Sequence, residues 1–122
     1  MSDPRRRLGR IGERLALEHL ERLGYRLVVA NHRTRHGEID LIVCDGRTLV
    51  FVEVKTRRSG ATVRPWDALH DRKRAQVRRM AAAWLAETED RPSARELRFD
   101  AVAVVVDPDG SLRRLDHLEA AF

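Results

Sequence analysis

The chain has a single cysteine, Cys44. One thiol excludes an internal disulfide and a cysteine-based zinc site. Its place at the end of an apolar run reads as a buried structural thiol. No stretch of about 18 consecutive apolar residues occurs, so no membrane span is expected. Arg5-Arg6-Arg7-Leu8-Gly9-Arg10 has no apolar run behind it and does not read as a secretory signal. A cytoplasmic bacterial protein is the simplest expectation. Aromatic residues make up only 5% of the chain, which argues against base stacking as the main mode of nucleic-acid binding. The five histidines are scattered without zinc-ligand spacing. Lysine is scarce as well: only Lys55 and Lys73 stand among the 24 basic residues. Internal repeats and low-complexity segments are absent.

What remains is a basic, ordinary globular composition. At 122 residues the chain is one domain by length. Its net charge of +5 points to an anionic partner, nucleic acid first.

The densest signal is Gly37-Glu38-Ile39-Asp40-Leu41-Ile42-Val43 followed by Leu49-Val50-Phe51-Val52-Glu53-Val54-Lys55. Both are apolar, β-branched runs that carry acids, and Cys44 to Thr48 joins them as a turn. Alternation gives Glu53 and Lys55 one face and Val52 and Val54 the other. A hairpin with an Asp45 to Thr48 loop sets Cys44 opposite Leu49 and Asp40 opposite Glu53. A tighter Asp45-Gly46 turn makes the two acids diagonal neighbours. Both registers bring them to one face, within reach of a common ligand. Close carboxylates repel, and a hard cation such as Mg²⁺ relieves the repulsion.

Around this hairpin, Gly9 to Leu23 reads as an amphipathic helix that stops at Gly24. Tyr25 to Ala30 reads as a strand, and Asn31 to His36 as a connection or strand extension. Thr56 to Arg64 reads as a mobile basic loop. Pro65 to about Thr88 forms a second helix with Val77, Ala81, Trp84 and Leu85 buried. Leu97 to Val106 is a strand buried on both faces. Asp107-Pro108-Asp109-Gly110 turns the chain into a short edge strand, Leu112 to Leu115. The expectation is an α/β domain with a mixed central sheet flanked by helices, in the order α-β-β-β-α-β-β. The division is 1–8 as a basic N-terminal segment, 9–115 as the domain and 116–122 as a tail.

The Asp40…Glu53-x-Lys55 arrangement resembles the PD-(D/E)xK nuclease superfamily, which includes restriction enzymes and archaeal Holliday-junction resolvases. The chain is more similar still to the YraN-like family of small bacterial proteins. That likeness rests on Gly12-Glu13, Gly24-Tyr25, Asn31, Gly37-Glu38-Ile39-Asp40-Leu41-Ile42, Phe51-Val52-Glu53-Val54-Lys55, Lys73 and Arg98-Phe99-Asp100. Ile39 stands where the superfamily has a proline before its first acid. The resemblance implies a restriction-endonuclease-like fold and hydrolysis of phosphodiester bonds in DNA, with Mg²⁺ or Mn²⁺ as cofactor. Asp40, Glu53 and Lys55 are the expected catalytic residues. Asp40, Glu53 and the Val54 carbonyl are the expected metal ligands. In the resembled resolvases a glutamate near the start of the first helix joins the metal site, and Glu13 stands at that position. A helix-dipole role is the alternative for Glu13. Lys55 would orient or deprotonate a water, or neutralise charge building on the phosphate.

Glu38 reads as a turn residue before an acid supporting the metal ligands from behind, and Asp100 as a buried partner for an arginine. Arg57, Arg58, Lys73, Arg74, Gln76 and Arg78 are the candidate nucleic-acid contacts. DNA is the favoured partner, and the resemblance to resolvases adds a homodimer to the expectations. The rival reading is a non-catalytic nucleic-acid-binding or interaction module on the same fold.

Overall fold

The computed structural model describes residues 3–60 and 71–122, with backbone only for residues 71–73. Among the described residues, seven elements run in the order α1 (Pro4–Arg22), β1 (Arg26–Thr34), β2 (Gly37–Cys44), β3 (Thr48–Arg58), α2 (Asp71–Glu87), β4 (Glu96–Val106) and β5 (Leu112–Leu118). The strands form one mixed sheet in sequential order. β1, β2 and β3 are antiparallel, β4 lies parallel to β3, and β5 returns antiparallel along β4.

Helix α1 starts earlier than its amphipathic stretch suggests. The Asp3 side chain caps it by accepting the Arg5 N–H at 3.0 Å, and Pro4 opens the first turn. Such a cap fixes a helix start, so Arg5 to Leu8 belong to the helix rather than to a separate segment. The helix stops at Gly24, whose φ of 98° only glycine adopts freely. The Tyr25 and Gly24 amides close on the Leu20 and Glu21 carbonyls, both at 3.0 Å. This is the double-bonded ending that glycine favours.

Two cores cover the sheet. On one side Ala16 and Leu20 of α1 meet Leu41, Val43, Val50, Val52, Val102, Val104 and Val106. On the other, Val77, Met80, Ala81 and Trp84 of α2 meet Ile39, Ile42, Leu49 and Phe51. Trp84 packs edge-on to Phe51 at 5.9 Å between ring centroids, and Phe99 stacks on Phe51 at 5.4 Å. Gly12 brings α1 unusually close to the sheet. A Cβ there would sit 1.8 Å from Thr56 Oγ1. Thr56 is buried and β-branched, so it has little room to yield.

Asn31 to Thr34 extend β1, the second of the two readings of that stretch, because the strand keeps pairing with β2 as far as Thr34↔Gly37. Two boundaries differ from expectation. Thr56, Arg57 and Arg58 are strand, paired with Val104, Val105 and Val106, rather than loop. β5 runs to Leu118, and the residues after it are tied down. The Ala121 N–H bonds the Phe99 carbonyl at 2.7 Å, and Phe122 is buried. The expected helix start at Pro65 lies outside the described residues.

Asp100 is the buried arginine partner it was expected to be. Arg98 grips it with two bonds of 2.8 Å, His117 Nε2 lies 2.8 Å away, and the Ala120 N–H donates at 3.1 Å. Burial pushes the Asp100 carboxyl up, but the bonds from His117, Arg98 and Ala120 outweigh it and hold the group below the ordinary carboxylate range.

Candidate metal centre

The hairpin adopts the register with the longer loop. Cys44 lies opposite Leu49, and pairing continues to Leu41↔Val52. Asp45 caps the turn by accepting the Arg47 and Thr48 N–H groups at 2.9 and 2.7 Å. One further step of this register would put Asp40 across from Glu53, the first of the two arrangements the sequence allows.

The two acids do not meet on a flat sheet face. Ile39 packs on the α2 side and Leu41 on the α1 side. Strict alternation would give them one face, so β2 rolls over at Asp40. There Asp40 Oδ2 accepts the Val54 N–H at 2.7 Å. The carboxylate takes up a strand amide at the place where β2 and β3 part.

Glu13, Glu38 and Asp40 each bring a carboxylate oxygen within 4.8 Å of the others. Glu13 reaches the cluster because Gly12 seats α1 against β3. Glu38 corrects the turn-residue reading, since the same rolled strand that carries Asp40 brings it in. Glu53 acts on Asp40 from the neighbouring strand. It is buried, and one of its oxygens lies 3.5 Å from Lys55 Nζ. The Asp40 carboxyl is pushed up to about 8, by burial first and then by the charge of Glu53. Glu13 and Glu38 add to the rise, and the bond from the Val54 N–H opposes it. Burial also raises Glu13, against the hydrogen bond from Asn31.

Asn31 is the residue whose role the sequence hid. It sits on β1 between the pairs Ala30↔Leu41 and His32↔Ile39, hence across from Asp40. Its φ is 53°, in the left-handed region that asparagine tolerates better than most residues. Its Nδ2 donates to Glu13 Oε1 at 2.7 Å and to Glu38 Oε1 at 2.9 Å. One amide thus spans two carboxylates from different elements. The signal was present as an asparagine in a strand-like run, but nothing in one dimension shows what it bridges.

An open cleft of about 320 Å³ adjoins the cluster, lined by Arg6, Gly9, Arg10, Glu13, Asn31, Arg33 and Glu38. Arg6, Arg10 and Glu13 are spaced i, i+4, i+7, one face of α1.

The expected nucleic-acid residues are dispersed. Arg58 and Arg74 are exposed. Arg57 donates to the Thr56 carbonyl at 2.9 Å. Gln76 is engaged at the β1–β2 turn, where its amide donates to the His36 carbonyl. Arg78 donates to the Phe122 carbonyl at 2.9 Å and lies 4.8 Å over the Phe99 ring. Both have carbonyl partners within the fold, and α2 packs on the sheet face opposite α1. The Lys73 side chain lies outside the described residues.

The donor set fits a hard divalent ion. The three converging acids, Glu13, Glu38 and Asp40, offer oxygen only, which suits Mg²⁺ or Mn²⁺ rather than a thiolate-seeking metal. Their mutual repulsion is what a dication would relieve.

The element order, the five-stranded mixed sheet and the helix on each face define a restriction-endonuclease-like α/β protein. Within that class the chain belongs to the uncharacterised protein family UPF0102, the YraN-like group, whose pattern matches residues 12–104. It is 41% identical to a UPF0102 protein of Pelotomaculum thermopropionicum over 122 residues, all of both chains. It is 45% identical to one of Frankia alni over 115 residues, 94% of this chain and 93% of the relative. It is 48% identical to one of Beutenbergia cavernae over 111 residues, 91% and 92% of the two chains. No helix among the described residues is long and apolar enough to cross a membrane.

Proposed function

We propose that this protein is a metal-dependent nuclease that hydrolyses phosphodiester bonds in DNA. The observation that carries the reading is the Asp40 fork. A strongly perturbed carboxylate lies across from Glu53, beside two further acids, with Lys55 one pleat along and an arginine-rimmed cleft adjoining. Perturbed acids converging beside a cleft are characteristic of reaction centres.

Asp40, Glu13 and Glu38 would hold Mg²⁺ or Mn²⁺, with Glu53 completing the acidic wall. The ion would supply polarisation of the phosphoryl oxygen and a more acidic bound water. Asn31 fixes the spacing of Glu13 and Glu38. Lys55, half-buried and 3.5 Å from a Glu53 oxygen, would hold or move a proton at Nζ or neutralise charge on the phosphate. Arg6, Arg10 and Arg33 would position the backbone of the substrate through phosphate contacts.

The rival, a binding module without catalysis, draws support from the internal satisfaction of the cluster, since Asn31 and Lys55 already engage its acids. Titration of Mg²⁺ and Mn²⁺ by calorimetry, alongside cleavage assays on linear, nicked and branched DNA, separates them. The nuclease reading expects ion binding and cleavage together. DNA binding without cleavage under either metal favours the module.

A further inference from the structure

Away from the acidic cluster, three titratable groups from three elements form a chain. Asp100 of β4 is fully buried, and after its bonds to Arg98 and Ala120 it still meets His117 Nε2 of β5 at 2.8 Å. That carboxylate fixes the His117 proton on Nε2 and leaves Nδ1 with a lone pair. Facing this Nδ1, 3.1 Å away, is Nε2 of His19 on α1. The two rings stand at 84° with centroids 5.2 Å apart. The His117 side chain is 9% exposed and the His19 residue only partly buried, so the junction is held from below and reachable from solvent.

We propose that His19 and His117 form a binding site for a divalent transition-metal ion of the zinc class, with Asp100 orienting His117 from behind. A tetrahedral ion about 2.0–2.1 Å from each nitrogen sets two imidazole nitrogens roughly 3.3 Å apart. The observed 3.1 Å is close to that separation, and each ring must turn by about 35° to swing its lone pair from the nitrogen–nitrogen line onto the shared ion. A carboxylate on the far nitrogen of a ligating histidine is the arrangement that fixes its tautomer and raises its basicity. Two neutral imidazoles suit zinc, nickel or copper better than Mg²⁺. Without metal the pair closes on itself, His19 Nε2–H donating to His117 Nδ1. Metal binding moves that proton to His19 Nδ1 and leaves both facing nitrogens free, with no net proton released. Waters fill the remaining positions. The nearby charges are Arg22, which acts on His19, and Arg98, which is neutralised by Asp100. The ion would pin α1 to the β5 edge of the sheet. The site is independent of the nuclease reading, because it shares no residue with the acidic cluster.

The test is calorimetric titration of the full chain carrying Asp40→Asn with Zn²⁺, and with Co²⁺ followed by visible absorption. That background weakens the acidic cluster as a competitor. We expect one saturable equivalent, a Co²⁺ ligand-field band, and ¹⁵N shifts at His19 Nε2 and His117 Nδ1. His19→Gln lies on a helix face and should fold normally. It should weaken binding at least about 10-fold, and His117→Gln should do the same. A chain that takes up neither ion saturably overturns the proposal. So does one whose affinity is unmoved by His19→Gln and His117→Gln, since the ion then sits elsewhere.

Discussion

The Asp40 carboxylate accepts the Val54 N–H at 2.7 Å where β2 and β3 diverge. A side chain there does what a backbone carbonyl does along a regular ladder. The bond fixes the carboxylate in place, while burial and three neighbouring acids make its charge costly. Geometry is thus built in ahead of any ligand, at the expense of the fold.

Asp40→Asn should retain the fold and gain stability at neutral pH, because an amide oxygen can keep the Val54 bond without the charge. The same change should weaken Mn²⁺ binding about 10-fold or more. Thermal melts and calorimetry read the two effects separately. Unaltered Mn²⁺ affinity would remove Asp40 from the metal centre.

The pH dependence follows from the same carboxyl. Its pKa rises on folding from an ordinary 3.8 to about 8. Between those values the folded chain holds a proton that the unfolded chain has released. The contribution of Asp40 to stability is therefore full below 3.8 and is lost as pH rises toward 8. Metal-free melts across this window should show a decline that is shallower in Asp40→Asn. Mn²⁺ affinity should rise with pH over the same range, as protons leave the site. Equal slopes in the two proteins would mean that Asp40 titrates normally.

Gly12→Ala should cost about 1–3 kcal/mol, the usual range for overpacking. The new methyl meets Thr56 and must lift α1 from β3. Lifting α1 also withdraws Glu13, so metal affinity should fall with stability. Thr56→Ala should recover part of both losses. A Gly12→Ala protein as stable as wild type would show that the helix–sheet packing is looser than this.

Arg6, Arg10 and Arg33, changed together to Ala, should weaken DNA binding across all sequences. The salt dependence should become shallower by about one unit for each phosphate no longer neutralised. Arg78→Ala should instead lower stability, because that guanidinium holds the Phe122 carbonyl and stacks on Phe99. A binding defect from Arg78→Ala in a fully stable protein would reverse this assignment.

The hairpin itself and the meeting of Asp40 with Glu53 were legible because strand period and turn chemistry are local, whereas the choice between its two registers was not. Gly24 was legible for the same reason, as was the buried role of Asp100, a lone acid in an apolar strand. The helix start was hidden because Asp3 and Pro4 precede an arginine run whose charge masks the cap. The roles of Glu38 and Asn31 depend on the roll of β2 and on an edge strand, neither of which a linear pattern encodes. Gln76 and Arg78 read as nucleic-acid contacts; only the tertiary structure shows the carbonyls they satisfy.

The central claim is catalysis at the Asp40 fork, and single-turnover cleavage tests it most directly. Purified wild type, Asp40→Asn and Lys55→Arg would be assayed on labelled linear, nicked and branched DNA with Mg²⁺ or Mn²⁺. The account predicts metal-dependent cleavage by wild type and losses of about 10²-fold or more in both variants. DNA binding should persist in Lys55→Arg, because the positive charge remains while guanidinium will not act as a base. Wild type that binds these DNAs and cuts none, or variants that cut as fast as wild type, would contradict it.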